Sequence, residues 1–597
     1  MSAYVAPLRD MQFVLHELAG FDEVAALPGN EELSAELVQQ ILEGNAAFAS
    51  EVLAPLNQSG DQEGSVWRDG EVRTPKGFKE AYRQFVAGGW NALQFPAEFG
   101  GQGLPKLVAA PVMEMWKSAN LSFSLCPLLT GGAIEALLLR GTAAQQRLFL
   151  PKMIEGAWTG TMNLTEPQAG SDLALVKSRA MPEGDHYRIY GQKIFITYGE
   201  HDMAQNIVHL VLARTPEAPE GVKGISLFIV PKYLVNPDGS LGPRNDVRCV
   251  SIEHKLGIHA SPTAVMAYGD QEGAIGHLVG EEHRGLEYMF IMMNAARFAV
   301  GMEGLAISER AYQQALGYAK ERIQSRELGG SGSKSVPIIR HPDVRRMLMG
   351  MKAQTEAMRA LAYVVAGAID KAHHHPAKDE RARQQAFVDL MIPIVKGWST
   401  ETSIEVASTG IQVHGGMGFI EETGAAQHLR DARITTIYEG TTGIQANDLV
   451  GRKIAREAGA TAKAVLNAIR MLDAELGRAA GEELSAIRTR LALAAAAAEE
   501  SVDWIVATHA TDVKAVYAGA VPFLRLMGIL CGGWQLARGA LAAHAKRATG
   551  AGDAAFLAAK ISTARFFADH YLSQAPGLRE AIVQGASGVL ALTEEQF

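Results

Sequence analysis

Apolar residues recur at helical spacing early in the chain, at Leu33, Leu37, Val38 and Ile41, and again over residues 132–139. This spacing predicts that residues 1–160 are mostly helical. Between these stretches lies Phe95-Pro96-Ala97-Glu98-Phe99-Gly100-Gly101-Gln102-Gly103, whose glycines suit a tight turn or a close backbone approach. From about residue 161 the period changes to two. His186-Tyr187-Arg188-Ile189-Tyr190, Ile194-Phe195-Ile196-Thr197, residues 207–212 and residues 225–230 all read as strands. Turn formers such as Pro182-Glu183-Gly184 and Asn236-Pro237-Asp238-Gly239 separate them, so residues 161–285 are expected to form a small antiparallel barrel or sandwich. Long amphipathic patterns then return over residues 289–326, 344–372 and 386–410, interrupted by the Gly/Ser-rich segment 329–335, which by composition is a flexible linker. Residues 456–597 form a further helical block rich in alanine and leucine. The expected fold is mainly α with a central β-domain, divided at 1–160, 161–285, 286–455 and 456–597. Domain seams are where clefts form.

A chain of 597 residues fits such a multidomain plan. With 48% hydrophobic and 20% charged residues it is globular in composition, and a formal charge of -9 argues against a general nucleic-acid binder. Cys126, Cys249 and Cys531 share no metal-ligand spacing and suggest a reducing compartment. The N-terminus has no basic segment followed by an apolar run, so a cytoplasmic location is expected. No uninterrupted apolar stretch of membrane-spanning length is evident, and residues 515–534, broken by Pro522, Arg525 and glycines, read as buried helix.

Three segments carry candidate chemistry. Met162-Asn163-Leu164-Thr165-Glu166-Pro167-Gln168-Ala169-Gly170-Ser171-Asp172 is dense in hydroxyls and turn formers, and the backbone N–H groups around Gly170 can cradle an anion or the polar edge of a ring. Phe195 and Thr197 share a face of an ideal strand, where a ring and a hydroxyl can engage a planar heterocycle. Glu439, within Thr436-Ile437-Tyr438-Glu439-Gly440-Thr441, places a carboxylate on a turn, as a general base requires. Each segment alone also suits an ordinary loop or core strand. His373-His374-His375 reads as a solvated helix end, since adjacent helical residues do not converge on a metal, and no metal site is expected.

Taken together, Thr165-Glu166-Pro167-x-Ala169-Gly170-Ser171-Asp172, Lys193-Ile194-Phe195-Ile196-Thr197, Gly257-Ile258-x-x-Ser261-Pro262-Thr263 and Ile437-Tyr438-Glu439-Gly440-Thr441 resemble the acyl-CoA dehydrogenase family in identity and order, over roughly residues 40–455. The resemblance implies a helical bundle, β-barrel, helical bundle fold with FAD as cofactor. It implies that Glu439 removes the α-proton of an acyl-CoA thioester, and that its own N–H helps hold the thioester carbonyl. It implies flavin contacts for Met162, Leu164, Thr165, Gly170, Ser171, Phe195, Thr197 and Thr441, with Phe195 where many members carry tryptophan. Ser171, Asn294, Arg297 and Gly440 match substrate-side positions. Arg322 and Gln324 match a segment that meets FAD phosphates across a subunit interface, and Gln412 and Gly416 match the loop at its adenosine end. Gly443 stands where glutamine is common.

The roughly 140 residues beyond Lys453 resemble the extension of long members, both the very-long-chain enzymes and a bacterial branch that acts on 3-methylmercaptopropionyl-CoA. This implies a homodimer, a medium- to long-chain acyl-CoA substrate, trans-2-enoyl-CoA as product within fatty-acid β-oxidation, and electron-transfer flavoprotein as acceptor. The rival substrate is the thioether 3-methylthiopropanoyl-CoA. Less favoured alternatives are an acyl-CoA oxidase and a nucleic-acid-associated homologue. Neither nucleic acid nor an integral membrane segment is expected as a partner.

Overall fold

A computed structural model describes residues 3–597, which divide into two compact units. One unit comprises Ala47–Leu104 and Ala119–Ala299; the other comprises the N-terminal segment to Ala46, Pro105–Ser118 and Val300–Phe597.

The first unit is built on eight strands: β1 (Trp158–Asn163), β2 (Arg179–Glu183), β3 (His186–Thr197), β4 (Asn206–Ala213), β5 (Ser226–Pro231), β6 (Val247–Ile252), β7 (Thr263–Tyr268) and β8 (Ala274–Leu278). Their order is β6-β7-β3-β8-β5-β4-β1, with β2 also pairing β3. The end strands do not pair with each other, so the sheet is open rather than a closed barrel. All pairs are antiparallel except β1–β4, which runs parallel from Trp158↔Asn206 to Asn163↔Val211. The parallel pair departs from the all-antiparallel expectation; a long connection between the two strands permits it. β4 and β5 are buried at every position, which explains their continuous apolar sequence. The helix Leu121–Arg140 crosses β1 so closely that a Cβ on Gly160 would stand 2.5 Å from the Cβ of Ala133. The glycine-rich corner closes through Gly101 N–H to Pro96 O (3.0 Å) and Gly103 N–H to Phe95 O (2.9 Å). A Cβ on Gly101 would lie 1.9 Å from Phe95 O, so only glycine fits.

The second unit is helical. Pro342–His374 and Lys378–His414 form a long hairpin, and Ala460–Arg478, Glu482–Thr508, Ala520–Ala548 and Ala554–His570 make up most of the C-terminal block. Ala520–Ala548 meets Lys378–His414 at Gly528, where a Cβ would be 2.1 Å from Trp398 Cγ. A buried ionic network joins distant parts of this unit. Arg359 contacts Asp10 (2.7 Å), Glu114 (2.6 Å) and Glu309 (2.6 Å), while Lys560 contacts Asp10 (2.6 Å) and Glu356 (2.7 Å).

The Gly/Ser-rich residues 329–335, a flexible linker by composition, lie in a loop that closes on itself. Gln324 N–H bonds Val336 O, Val336 N–H bonds Ser325 O and Ile338 N–H bonds Arg322 O, which makes residues 329–335 the tip of a closed loop within one unit. Among the described residues, three helices, Leu121–Arg140, Gly285–Glu321 and Ala520–Ala548, are long and apolar enough to cross a membrane, contrary to expectation, but most of each apolar window is buried in protein.

Candidate functional site

In the sheet-containing unit, β1 delivers Met162 to a loop that runs through Leu164, Thr165, Gly170 and Ser171. An unforeseen buried ion pair holds this loop. The Lys193 ammonium, fully buried, donates to Glu166 Oε1 (2.8 Å) and Leu164 O (3.0 Å). Glu166 also accepts from Lys177 N–H (2.7 Å), Ser178 N–H (3.0 Å) and Ser178 Oγ (2.6 Å). Burial alone would raise the Glu166 carboxyl, but Lys193 and these donors bring it down to about 2. Burial lowers Lys193 to about 8 against the pull of Glu166, so the pair is ionised at neutral pH. Ile194 N–H then bonds Thr165 O at 2.9 Å, which joins the loop to β3.

β3 is bulged where the loop meets it. Pairing with β7 slips between Ala264↔Ile196 and Met266↔Lys193, and Phe195 carries φ +60°. The ideal two-residue alternation therefore fails here: Lys193 and Ile196, three apart, are both buried. Phe195 is 58% exposed and Thr197 half-buried, beside the exposed Gly170 and Ser171 of a loop tied to the same strand. A bulky side chain at positive φ is costly and marks a site under constraint. Asn294 and Arg297, three apart on Gly285–Glu321, differ in burial: Asn294 is exposed and Arg297 buried.

In the helical unit, the helix Ala425–Thr435 ends just before the turn that carries Glu439. The chain leaves it through Ile437 N–H and Tyr438 N–H to Ile434 O, and Thr442 N–H closes the loop on Thr436 O (3.0 Å). Glu439 (φ +54°) and Gly440 (φ +90°) both adopt left-handed backbone at its apex. Two side chains hold that apex. Lys396, fully buried, donates to Gly440 O at 2.7 Å, and Gln445 Nε2 reaches Glu439 O and Gly440 O at 3.2 Å each. A Cβ on Gly440 would stand 2.7 Å from Gln445 Nε2. Thr441 caps the helix Thr442–Asp448 by accepting from Ile444 N–H.

Elsewhere in this unit, Arg322 and Gln324 follow the end of Gly285–Glu321, and Gln412, Gly415 and Gly416 lie at the end of Lys378–His414. The two helix ends meet where Tyr318 stacks on His414 at 4.5 Å. His414 donates through Nδ1 to Gly410 O (2.7 Å), and burial lowers its pKa; it is a structural histidine. Arg322, Gln324, Gln412 and Gly416 are all exposed, and a Cβ at Gly415 or Gly416 would meet nothing within 4 Å. A guanidinium, two amides and open glycine backbone are a donor set suited to phosphate and ribose.

The chain matches the acyl-CoA dehydrogenase N-terminal, middle and C-terminal domain models over residues 35–157, 161–270 and 283–455, and an acetyl-CoA dehydrogenase C-terminal-like model over 454–593. It is 53% identical to 3-methylmercaptopropionyl-CoA dehydrogenase of Ruegeria pomeroyi, across 98% of this chain and 99% of that one. The chain belongs to the acyl-CoA dehydrogenase family. As a member of that family it is an enzyme of the oxidoreductase class. It is also 34% identical to the broad-specificity linear acyl-CoA dehydrogenase FadE5 of Mycobacterium tuberculosis, over the full length of both chains. Among solved structures, an acyl-CoA dehydrogenase of Bacillus anthracis complexed with FAD shares the fold at TM-score 0.74 and 22% identity, covering 98% of this chain and 93% of that one. These full-length relatives include the C-terminal extension.

Proposed function

We propose that this acyl-CoA dehydrogenase introduces a trans double bond between Cα and Cβ of a short acyl-CoA, with 3-methylmercaptopropionyl-CoA as the preferred substrate. The 53% identity to a dehydrogenase of that name, sustained along both chains, supports this substrate ahead of the medium- to long-chain acyl-CoA expected from the motifs. The cofactor is FAD, which accepts the β-hydride. Glu439 acts as the base: its carboxylate takes the α-proton, and its backbone N–H, with its left-handed turn fixed by Lys396 and Gln445, donates to the thioester oxygen as enolate-like charge develops. Phe195 and Thr197 form the stacking and hydrogen-bonding surface for the ring, with Met162, Leu164, Thr165, Gly170, Ser171 and Thr441 around it. Ser171, Asn294, Arg297 and Gly440 serve the acyl-CoA. Arg322, Gln324, Gln412 and Gly416 serve the phosphate and adenosine end across a homodimer interface. Electrons leave to an electron-transfer flavoprotein, and the protein works in the cytoplasm.

The observation that carries the chemistry is the carboxylate of Glu439 at the apex of a doubly held, strained turn. Glu439→Gln is expected to lower kcat by roughly 10³-fold while flavin absorbance per chain is unchanged. Near-normal turnover would remove Glu439 as the base. Substrate choice is tested by kcat/KM from C4 to C18 acyl-CoAs and the thioether, with a dye acceptor; an optimum at long chains would overturn the thioether assignment. The second reading, a linear acyl-CoA dehydrogenase, draws on the FadE5 relationship and predicts comparable kcat/KM for butyryl-CoA and the thioether.

A further inference from the structure

We infer that Tyr438, Glu303 and Lys117 form a buried anchor that positions the base-bearing turn. This inference rests on the reading of Glu439 as the base. The Tyr438 phenol donates to Glu303 Oε2, and the Lys117 ammonium donates to Glu303 Oε1 at 3.0 Å. Glu303 lies on Gly285–Glu321 and Lys117 on Lys106–Ala119, and both side chains are sealed from solvent, at 0% and 1% exposure.

A buried ion pair adds little stability over apolar side chains of the same size, because desolvation cancels most of its attraction. Here one carboxylate oxygen takes the ammonium and the other takes the phenol of the residue directly before Glu439. That sets where the left-handed step begins. Lys396 and Gln445 fix the carbonyls of Glu439 and Gly440 from the other side. The turn is therefore gripped before and after the base. Tyr438, Glu303 and Lys117 are positioning residues. Their expected signature is a slower proton transfer at unchanged substrate affinity.

The test uses the flavin-loaded enzyme with protiated and α-deuterated acyl-CoA. Tyr438→Phe removes one oxygen and keeps the ring. It should lower kcat roughly tenfold, leave KM within about twofold, and raise the α-deuterium isotope effect on kcat. Flavin content per chain and the thermal midpoint should stay at the parent values. Glu303→Gln keeps an acceptor for the phenol but leaves Lys117 buried without its carboxylate, so it should lower the thermal midpoint as well as kcat, and the double variant should be no slower than Glu303→Gln alone, because both act along one path. Unchanged kcat and isotope effect in Tyr438→Phe would overturn the anchor, as would multiplicative losses in the double variant. Failure of the underlying reading is separately visible: Glu439→Gln would then retain turnover while Tyr438→Phe gave no isotope signature.

Discussion

At the scale of single residues, the groups that arrange the site were harder to read than those expected to do its chemistry. Glu439, Phe195 and Thr197 stand in motifs with a recognisable order. Lys396, Glu303 and Gln445 do not; each is a polar residue in a helix, and only the fold brings it to a partner, while Lys193 opens one of those motifs without the motif giving the lysine a role. Lys193 carried a faint signal, a lysine inside a strand whose neighbours are Ile194 and Ile196. Its burial has a testable consequence. Lys193→Met leaves Glu166 buried without its cation, and breaking such a pair costs about 3–5 kcal/mol. The expected result is a lower denaturation midpoint together with loss of flavin on gel filtration, since the loop carrying Leu164 to Ser171 hangs from this pair. A variant that kept both midpoint and flavin would show that the loop holds without it.

At the scale of elements, hydrophobic period located the long helices and several strands, though the pattern from residue 386 begins eight residues inside the helix that starts at Lys378. The patterns over 344–372 and 386–410 correspond to Pro342–His374 and Lys378–His414, and the run over 207–212 to β4. It failed where packing overrides propensity. The β-branched Ile434 and Thr435 close a helix, with Ala432 and Thr435 buried. The bulge at Phe195 was equally illegible, since it depends on pairing with β7. The junction of Ala520–Ala548 with Lys378–His414 was also invisible, because it depends on a glycine rather than on apolar bulk. Gly528→Ala sets a methyl into the Trp398 ring and should destabilise by about 1–3 kcal/mol. The expected readout is early melting of the C-terminal helices by hydrogen exchange, ahead of the sheet. Uniform exchange across the chain would refute that junction as the weak point.

At the scale of the whole molecule, the two units differ in their balance of buried titratable groups, and this predicts the order of acid unfolding. In the sheet-containing unit, His201 bonds Thr159 Oγ1 at 2.9 Å and His209 bonds Thr161 Oγ1 at 2.7 Å. Burial, aided by Lys232, lowers both imidazoles to about 3. The folded state therefore favours their neutral form, and each contributes stability that is complete above the unfolded value of 6.5 and is lost as pH falls toward 3, at up to about 1.4 kcal/mol per pH unit. In the helical unit, burial likewise lowers one imidazole, His428, to about 3, but it also raises Asp370 to about 6, so that carboxyl binds its proton before the unfolded chain does and offsets the histidine's loss as pH falls from 6 toward 4. Burial would also raise Asp10, but Lys560 and Arg359 outweigh it and hold the carboxyl far below the usual range, so its contribution is lost only below about pH 4. The sheet should consequently loosen first, between pH 6 and 4, with the helical signal retained until lower pH. Near-ultraviolet and far-ultraviolet dichroism followed together should separate in that order, and His201→Gln with His209→Gln should move the first transition to lower pH. Coincident transitions unmoved by the double substitution would show that the buried histidines do not set acid stability.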